Sequence, residues 1–250
     1  MTQYEIFLLI SAITAVAVFV QLQFVAAPYG RHARRGWGPS IPSKAGWVIM
    51  EGVAAVAILY FFFREQPMMT PTLWLLLALW ELHYINRSLI YPLRMRTRGK
   101  TMPAIVMFMA MGFNIWNGYL NGHWLGAHAA DYTTAWMRQP YFIAGLACFI
   151  AGFAVNVWSD EILLHLRKEF DSGYSIPRGG LFRFVSCPNY FGELIEWTGW
   201  ALMTWSPAGL LFALWTAANL VPRARSHHRW YREQFPDYPR DRTAIIPFLY

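Results

Sequence analysis

Seven apolar stretches, each near the length that crosses a bilayer, constrain this 250-residue chain more than any other feature. They run roughly over 5–27, 45–63, 72–92, 102–121, 140–163, 188–205 and 207–222. About 20 apolar residues span a hydrocarbon core as a helix, and the spanning backbone must satisfy its own polar groups. The last two stretches are short and meet at Ser206-Pro207, which reads as a tight helical hairpin. Charged residues make up only 14% of the chain and apolar ones 56%. That excludes disorder and leaves too few charges to coat a water-soluble surface. An aromatic share of 18% fits the belts that flank a membrane. No repeat, low-complexity tract or linker interrupts the pattern. The expected fold is an all-α integral membrane protein with seven transmembrane helices, a single domain over residues 1–250.

The placement of charge gives the orientation. The segments 28–44, 93–101 and 164–187 and the tail from 223 carry 18 of the 21 Lys and Arg residues. A seven-span chain puts all four on one side. The other side has only Arg64 and Arg138, and Arg87 lies within a span. By the positive-inside rule the basic face is cytoplasmic, so the N-terminus lies outside and the C-terminus inside. The first stretch is followed, not preceded, by Arg31, Arg34 and Arg35, the reverse of a signal peptide, and reads as a retained helix.

Polar residues recur in phase with the helices on that cytoplasmic side. Asn156, Asp160 and Arg167 share one face of the fifth span and its extension. Asn189, Glu193 and Trp197 do so in the sixth, and Arg223, His227 and Tyr231 follow the seventh with the same spacing. Carboxylates inside spans are costly and face a cavity or partner. Glu193 is read as functional, and Asp160 equally as half of an ion pair with an arginine. Arginines beside an acid, an amide and aromatic rings suit a nucleotide, whose phosphates take guanidinium groups. Anionic lipid is the rival ligand. The intervening loop Ser172-Gly173-Tyr174-Ser175-Ile176-Pro177-Arg178-Gly179-Gly180 is turn-forming and lacks the GxGxxG strand-turn-helix fingerprint. His227 and His228 project about 100° apart on a helix and no third ligand has metal spacing, so no metal is expected. Cys148 and Cys187 form neither a disulfide framework nor a metal site.

A second cluster lies deeper. In the third span Glu81, Tyr84, Arg87, Ser88 and Tyr91 read as one stripe, in which Glu81 could neutralise Arg87. The second span carries Glu51 alone in the apolar run from Trp47 to Phe63. A carboxyl held neutral there can donate a hydrogen bond. A neutral acid beside a tyrosine hydroxyl suits a carbonyl oxygen on which charge develops. With a nucleotide cofactor at the cytoplasmic end, these residues permit conjugate reduction of an enone lipid.

Several segments resemble the steroid 5α-reductases, and the likeness covers nearly the whole chain. His83-Tyr84-Ile85-Asn86-Arg87-Ser88-Leu89-Ile90-Tyr91 resembles the family's HYxxRxxxY. Asn156-Val157-Trp158-Ser159-Asp160, leading to Leu166-Arg167-Lys168, matches a further segment. Tyr174-Ser175-Ile176-Pro177-Arg178-Gly179-Gly180-Leu181-Phe182 is similar to YxIPxGGLF, and Asn189 to Trp197 to NxxGExxEW. The tail matches from Arg223 through His227-His228-Arg229-Trp230-Tyr231 to Ile245-Ile246-Pro247-Phe248. The likeness looks closest to the type 2 branch.

The resemblance implies a membrane enzyme that uses NADPH to reduce the 4,5 double bond of a 3-oxo-4-ene steroid. It implies cofactor contacts at Asn156, Asp160, Arg167, Tyr174, Asn189, Glu193, Trp197, Arg223, His227 and Tyr231. It implies catalytic contacts from Glu51 and Tyr84 to the 3-carbonyl, with Trp47 and Met50 also on the substrate side. Where the steroid enzymes carry Gln-Glu in the second helix, this chain has Met50-Glu51. Residues 1–121 would then serve mainly the lipid substrate and 140–250 mainly the cofactor. The implied setting is a bacterial inner membrane or the endoplasmic reticulum, among membrane lipids, with the cofactor site facing the cytoplasm. No nucleic acid and no obligate protein partner is implied. Wider relatives reduce polyprenols or enoyl-thioesters, and some are methyltransferases using S-adenosylmethionine. A transporter would need inverted repeats and broken midplane helices, which are not seen. A non-catalytic lipid binder would leave Glu51 and the cytoplasmic stripes unexplained.

Overall fold

Helix starts follow local capping chemistry. Thr2 caps α1 (Gln3–Phe24) in a reciprocal box with Glu5. α2 spans Ser43–Arg64. Thr70 caps α3 (Pro71–Ile85) by accepting from the Leu73 N–H, and Pro71 opens the first turn. A π-helical turn, Asn86–Ile90, joins α3 to α4 (Tyr91–Arg94), so residues 71–94 form one rod. α5 is Ala104–Ala127, α6 is Pro140–Glu169, α7 is Pro188–Thr204 and α8 is Pro207–Gln234. Ser206 accepts from the Gly209 N–H to start α8, which makes the expected hairpin after α7. The computed structural model describes residues 1–25, 32, 36–97, 99–169 and 174–250, without the side chains of 167–169.

Among the described residues, seven long helical rods fall on the seven apolar stretches. Three of them, Gln3–Phe24, Ser43–Arg64 and Pro140–Leu166, are long and apolar enough to cross a membrane. The others carry polar groups or are short: α5 buries Asn114, Asn117 and Asn121, and α7 has 17 residues with Glu193 and Glu196. α6 holds the polar residues at 156–160 within its apolar stretch, and α8 runs past its own, which keeps those at 223–231 in helical phase.

The rods meet through glycine. A Cβ on Gly192 of α7 would lie 2.6 Å from the Gly152 carbonyl oxygen of α6, and one on Gly199 would lie 2.5 Å from that of Gly145. Only glycine lets the two backbones approach this closely. Gly118, Gly122 and Gly126 of α5 meet α2 in the same way, at Ala57, Ile58 and Glu65. A short antiparallel ribbon, β1 (Ser40–Pro42) with β2 (Thr101–Pro103), ties the starts of α2 and α5 together, so those helices run parallel. Trp80, Trp197, Trp200 and Phe212 form the centre of the largest core cluster, with Tyr84 against it.

Candidate active site

The third rod is the organising element. Pro92 has no N–H to give Ser88, and its ring crowds that carbonyl. The turn at 86–90 widens to a π-helix there. Arg87 and Tyr91 stay together across the widened turn, 5.3 Å apart. Arg87 does not turn back to Glu81. Its Nη1 donates to Asp160 Oδ2 of α6 at 3.1 Å, and its guanidinium stands over the rings of Trp47 (5.0 Å) and Tyr91 (5.3 Å). Glu81 keeps a buried Oε1 without a hydrogen-bond partner.

From Asp160 the network crosses to α7. Asn189 Nδ2 donates to Asp160 Oδ1 at 3.0 Å. Asn156 Nδ2 donates to the Asn189 carbonyl at 2.9 Å and to Glu193 Oε2 at 3.4 Å. Asn156 Oδ1 is buried with no partner among the described residues. The stripes expected on the fifth and sixth spans thus meet each other, and Arg87 joins them.

Below this network lies Tyr84, fully enclosed. Its ring packs 5.0 Å from Trp80, 5.0 Å from His83 and 5.9 Å from Trp197. Glu51 lies on the turn of α2 that faces the π-turn, where a Cβ on its neighbour Gly52 would lie 4.0 Å from Ser88. Met50 is buried beside Met102 and Met107, and its carbonyl accepts from Asn114 Nδ2 at 2.6 Å.

A third group lies where α7 starts and α8 ends. Arg223 Nε donates to the Tyr190 hydroxyl at 2.8 Å. His227 stacks on His32 at 5.3 Å and tilts over Tyr190 at 5.6 Å. Tyr190 follows Asn189, so this group joins the network through one turn of α7. Tyr231 stacks on Tyr238 at 5.2 Å. Tyr174 meets Trp230 edge-on at 5.0 Å, under the Lys100 ammonium at 4.8 Å. The Arg167 side chain, like Ser172, Gly173 and the basic Arg31, Arg34, Arg35 and Arg98, lies outside the described residues. His228 Nδ1 lies 2.6 Å from Ser186 Oγ. Burial, then nearby Arg232 and Arg242, hold its imidazole below the ordinary histidine value.

Sequence reasoning missed three buried residues here. His83 Nδ1 lies 2.8 Å from Glu196 Oε1, in full burial. Glu196 extends the Asn189, Glu193 face by three residues, a signal that was present and unused. Arg242, one of the tail cations, is also buried, 5.1 Å over the Tyr238 ring. No periodicity marks it.

With this geometry in place, comparison with known proteins is informative. Residues 100–250 match the family model described as 3-oxo-5-alpha-steroid 4-dehydrogenase. The chain is 46% identical to a Gossypium hirsutum protein named Steroid 5-alpha-reductase DET2, over 100% of this chain and 98% of that one. It is 44% identical to the Arabidopsis thaliana protein of that name, over 92% and 90%. It is 42% identical to the Homo sapiens protein named 3-oxo-5-alpha-steroid 4-dehydrogenase 1, over 94% and 90%. These matches establish a family rather than a branch within it.

Proposed function

Because this chain belongs to the 3-oxo-5-alpha-steroid 4-dehydrogenase family, we propose that it is an NADPH-dependent membrane reductase of the 4,5 double bond of 3-oxo-4-ene steroids. In this reading all seven rods cross the membrane, with the N-terminus outside and the C-terminus and cofactor site cytoplasmic. The three apolar helices and the one-sided distribution of Lys and Arg support that arrangement. Residues 1–121 chiefly enclose the steroid, and 140–250 chiefly hold the cofactor.

The residues suit a nicotinamide nucleotide in their chemistry. A carboxamide offers N–H donors, and the buried Asn156 Oδ1 is an acceptor without a partner among the described residues. Glu193 and the Asn189 side chain stand in the same network. Asp160 holds Asn189 and Arg87 in place for that contact. Arg167 and Arg223 are assigned to phosphate, and Tyr174, Trp197, His227 and Tyr231 to ring and ribose contacts. The bound cofactor would supply the hydride taken up at C5.

Tyr84 and Glu51 do the rest. Each donates a hydrogen bond to the steroid 3-oxo group, Glu51 in its neutral form. Both bonds strengthen as negative charge moves onto that oxygen. Trp47 and Met50 wall the substrate beside them. Protonation at C4 completes the reduction.

The observation that carries this reading is the junction at Tyr84. Its ring packs 5.9 Å from Trp197, one turn along α7 from the Glu193 that accepts from Asn156, so a hydride donor and a carbonyl clamp would be neighbours. The test is NADPH oxidation by detergent-purified protein with testosterone or progesterone, the product identified by mass spectrometry. A product gaining two hydrogens, saturated at C4–C5 with 5α configuration, is expected. Tight NADPH binding without steroid turnover would overturn the steroid assignment in favour of another unsaturated lipid, with Met50 the first position to change. Methyl transfer from labelled S-adenosylmethionine would overturn the reductase.

A further inference from the structure

The end of the bundle where α5 and α7 finish carries a second, unassigned cavity. It measures about 260 Å³ and is lined by Trp124, Asp131, Tyr132, Trp136 and Trp205, with His128 at its side. It lies apart from the polar network at Asn156, while its Tyr132 belongs to the same core cluster as Tyr84. Trp136 precedes α6, and Asn156 lies 16 residues into that helix from Pro140, about 24 Å at ~1.5 Å per residue.

The polar edges of the lining rings are already used. Trp124 Nε1 donates to the Tyr132 hydroxyl at 3.1 Å. That hydroxyl donates to the Thr204 carbonyl at 2.7 Å, and Trp136 Nε1 donates to the Met203 carbonyl at 2.9 Å. What these three side chains still offer a ligand is aromatic carbon. They are tied to the end of α7, so the wall is rigid. Trp205 closes it from a left-handed backbone conformation, φ 45° and ψ 43°, which a bulky side chain rarely adopts. Its ring is held there by stacking on Tyr141 at 4.8 Å.

The one acid on the wall is Asp131. It is exposed, and among the described residues it forms no ion pair. No lysine or arginine lines the cavity. Thr204 also lines it with its hydroxyl already given to the Trp200 carbonyl, and His128 stacks on Trp124 at 3.9 Å. The wall therefore offers a cation aromatic carbon and one carboxylate. A compact cation with an apolar shell meets both conditions, whereas an ammonium with three N–H groups needs more acceptors than the rings provide. An aromatic belt serving only the interface would turn its rings to lipid; here Tyr132 is buried and Trp124 and Trp136 are half-buried around a pocket whose mouth is formed by the exposed Asp131 and Trp205.

We infer that this cavity is a binding site for a quaternary ammonium group, carried either by a phosphocholine lipid or by a free small cation. The site is separate from the reductase chemistry, so its test does not depend on steroid turnover.

The experiment is a tryptophan-fluorescence titration of the detergent-purified full chain with choline and with 3,3-dimethylbutan-1-ol, the same shape with carbon in place of N⁺. Choline should give a saturable response at least about tenfold tighter than the neutral alcohol. Asp131→Asn and Trp136→Leu should each weaken choline about tenfold and leave NADPH binding unchanged. Trp136 also ties down α7; if that variant fails to fold, the exposed Asp131→Asn alone decides. In phosphatidylcholine nanodiscs a site filled by lipid would lose its choline response and keep it in phosphatidylglycerol nanodiscs. A free-cation site would respond in both. An equal response to the two probes, no saturable response, or an unaltered Asp131→Asn would overturn the inference.

Discussion

His83 Nδ1 lies 2.8 Å from Glu196 Oε1, and the two side chains are 3% and 0% exposed. The contact joins the third rod to α7 directly beside Tyr84, just before the π-turn. Removing one partner from such a buried hydrogen bond strands the other and costs about 1–3 kcal/mol. Glu196→Leu should therefore lower the apparent unfolding temperature in detergent strongly. Glu196→Gln keeps an acceptor oxygen and should lose much less. Equal losses in the two variants would show that the hydrogen bond is not what holds the rods together.

Tyr84→Phe removes one hydroxyl and leaves the ring in its packing against Trp80, His83 and Trp197. Loss of one donor to a developing oxyanion typically costs about 10²–10³ in rate. Steroid turnover should fall by that factor with NADPH affinity unchanged. Unaltered turnover would remove Tyr84 from the mechanism.

Asp160 accepts from both Arg87 and Asn189. Asp160→Asn breaks the charge pair and should raise the NADPH dissociation constant about tenfold, consistent with roughly 1.4 kcal/mol. A change in the steroid KM alone would mean that the assignment of the two half-sites is reversed.

Gly192→Ala would set a Cβ 2.6 Å from the Gly152 carbonyl oxygen, and that backbone atom has nowhere to go. Overpacking of this kind costs about 1–3 kcal/mol. The variant should unfold at lower temperature, whereas Gly112→Ala, whose Cβ meets nothing within 4 Å, should not. Similar behaviour of the two would contradict the close α6–α7 approach.

The His228 imidazole is held below its ordinary value, first by burial and then by Arg232 and Arg242. An unfolded histidine titrates near pH ~6.5. The folded protein binds fewer protons there than the unfolded chain, so stability from this group is complete above that pH. It is lost progressively as the pH falls through the lowered folded value. The apparent unfolding temperature should drop on acidification from about pH 7.5 to about 5.5, and His228→Gln should flatten that drop. An identical slope in the variant would assign it to other groups.

Much of the site was legible in one dimension. Asn156 and Asp160 share a face, as do Asn189 and Glu193, because helical spacing repeats along a chain whatever surrounds it. Glu51 stands out in the sequence because a lone acid in an apolar run is costly; its contact with a carbonyl belongs to the proposal. Arg87 could have answered to Glu81 on its own stripe or to Asp160 as an ion pair, and the structure pairs it with Asp160. His83–Glu196 was missed because its members lie 113 residues apart.

The sequence by itself determined seven apolar segments, where each helix starts, and which side of each helix is polar. Those properties follow from residue spacing, capping and hydropathy, all local along the chain. Only the tertiary structure decided which faces meet. Gly145, Gly152, Gly192 and Gly199 act as two pairs because α6 and α7 bring their backbones together. Trp124, Tyr132 and Trp205 enclose one space because α5 and α7 end side by side. Partner choice between helices depends on three-dimensional packing, which a period of 3.6 residues does not encode.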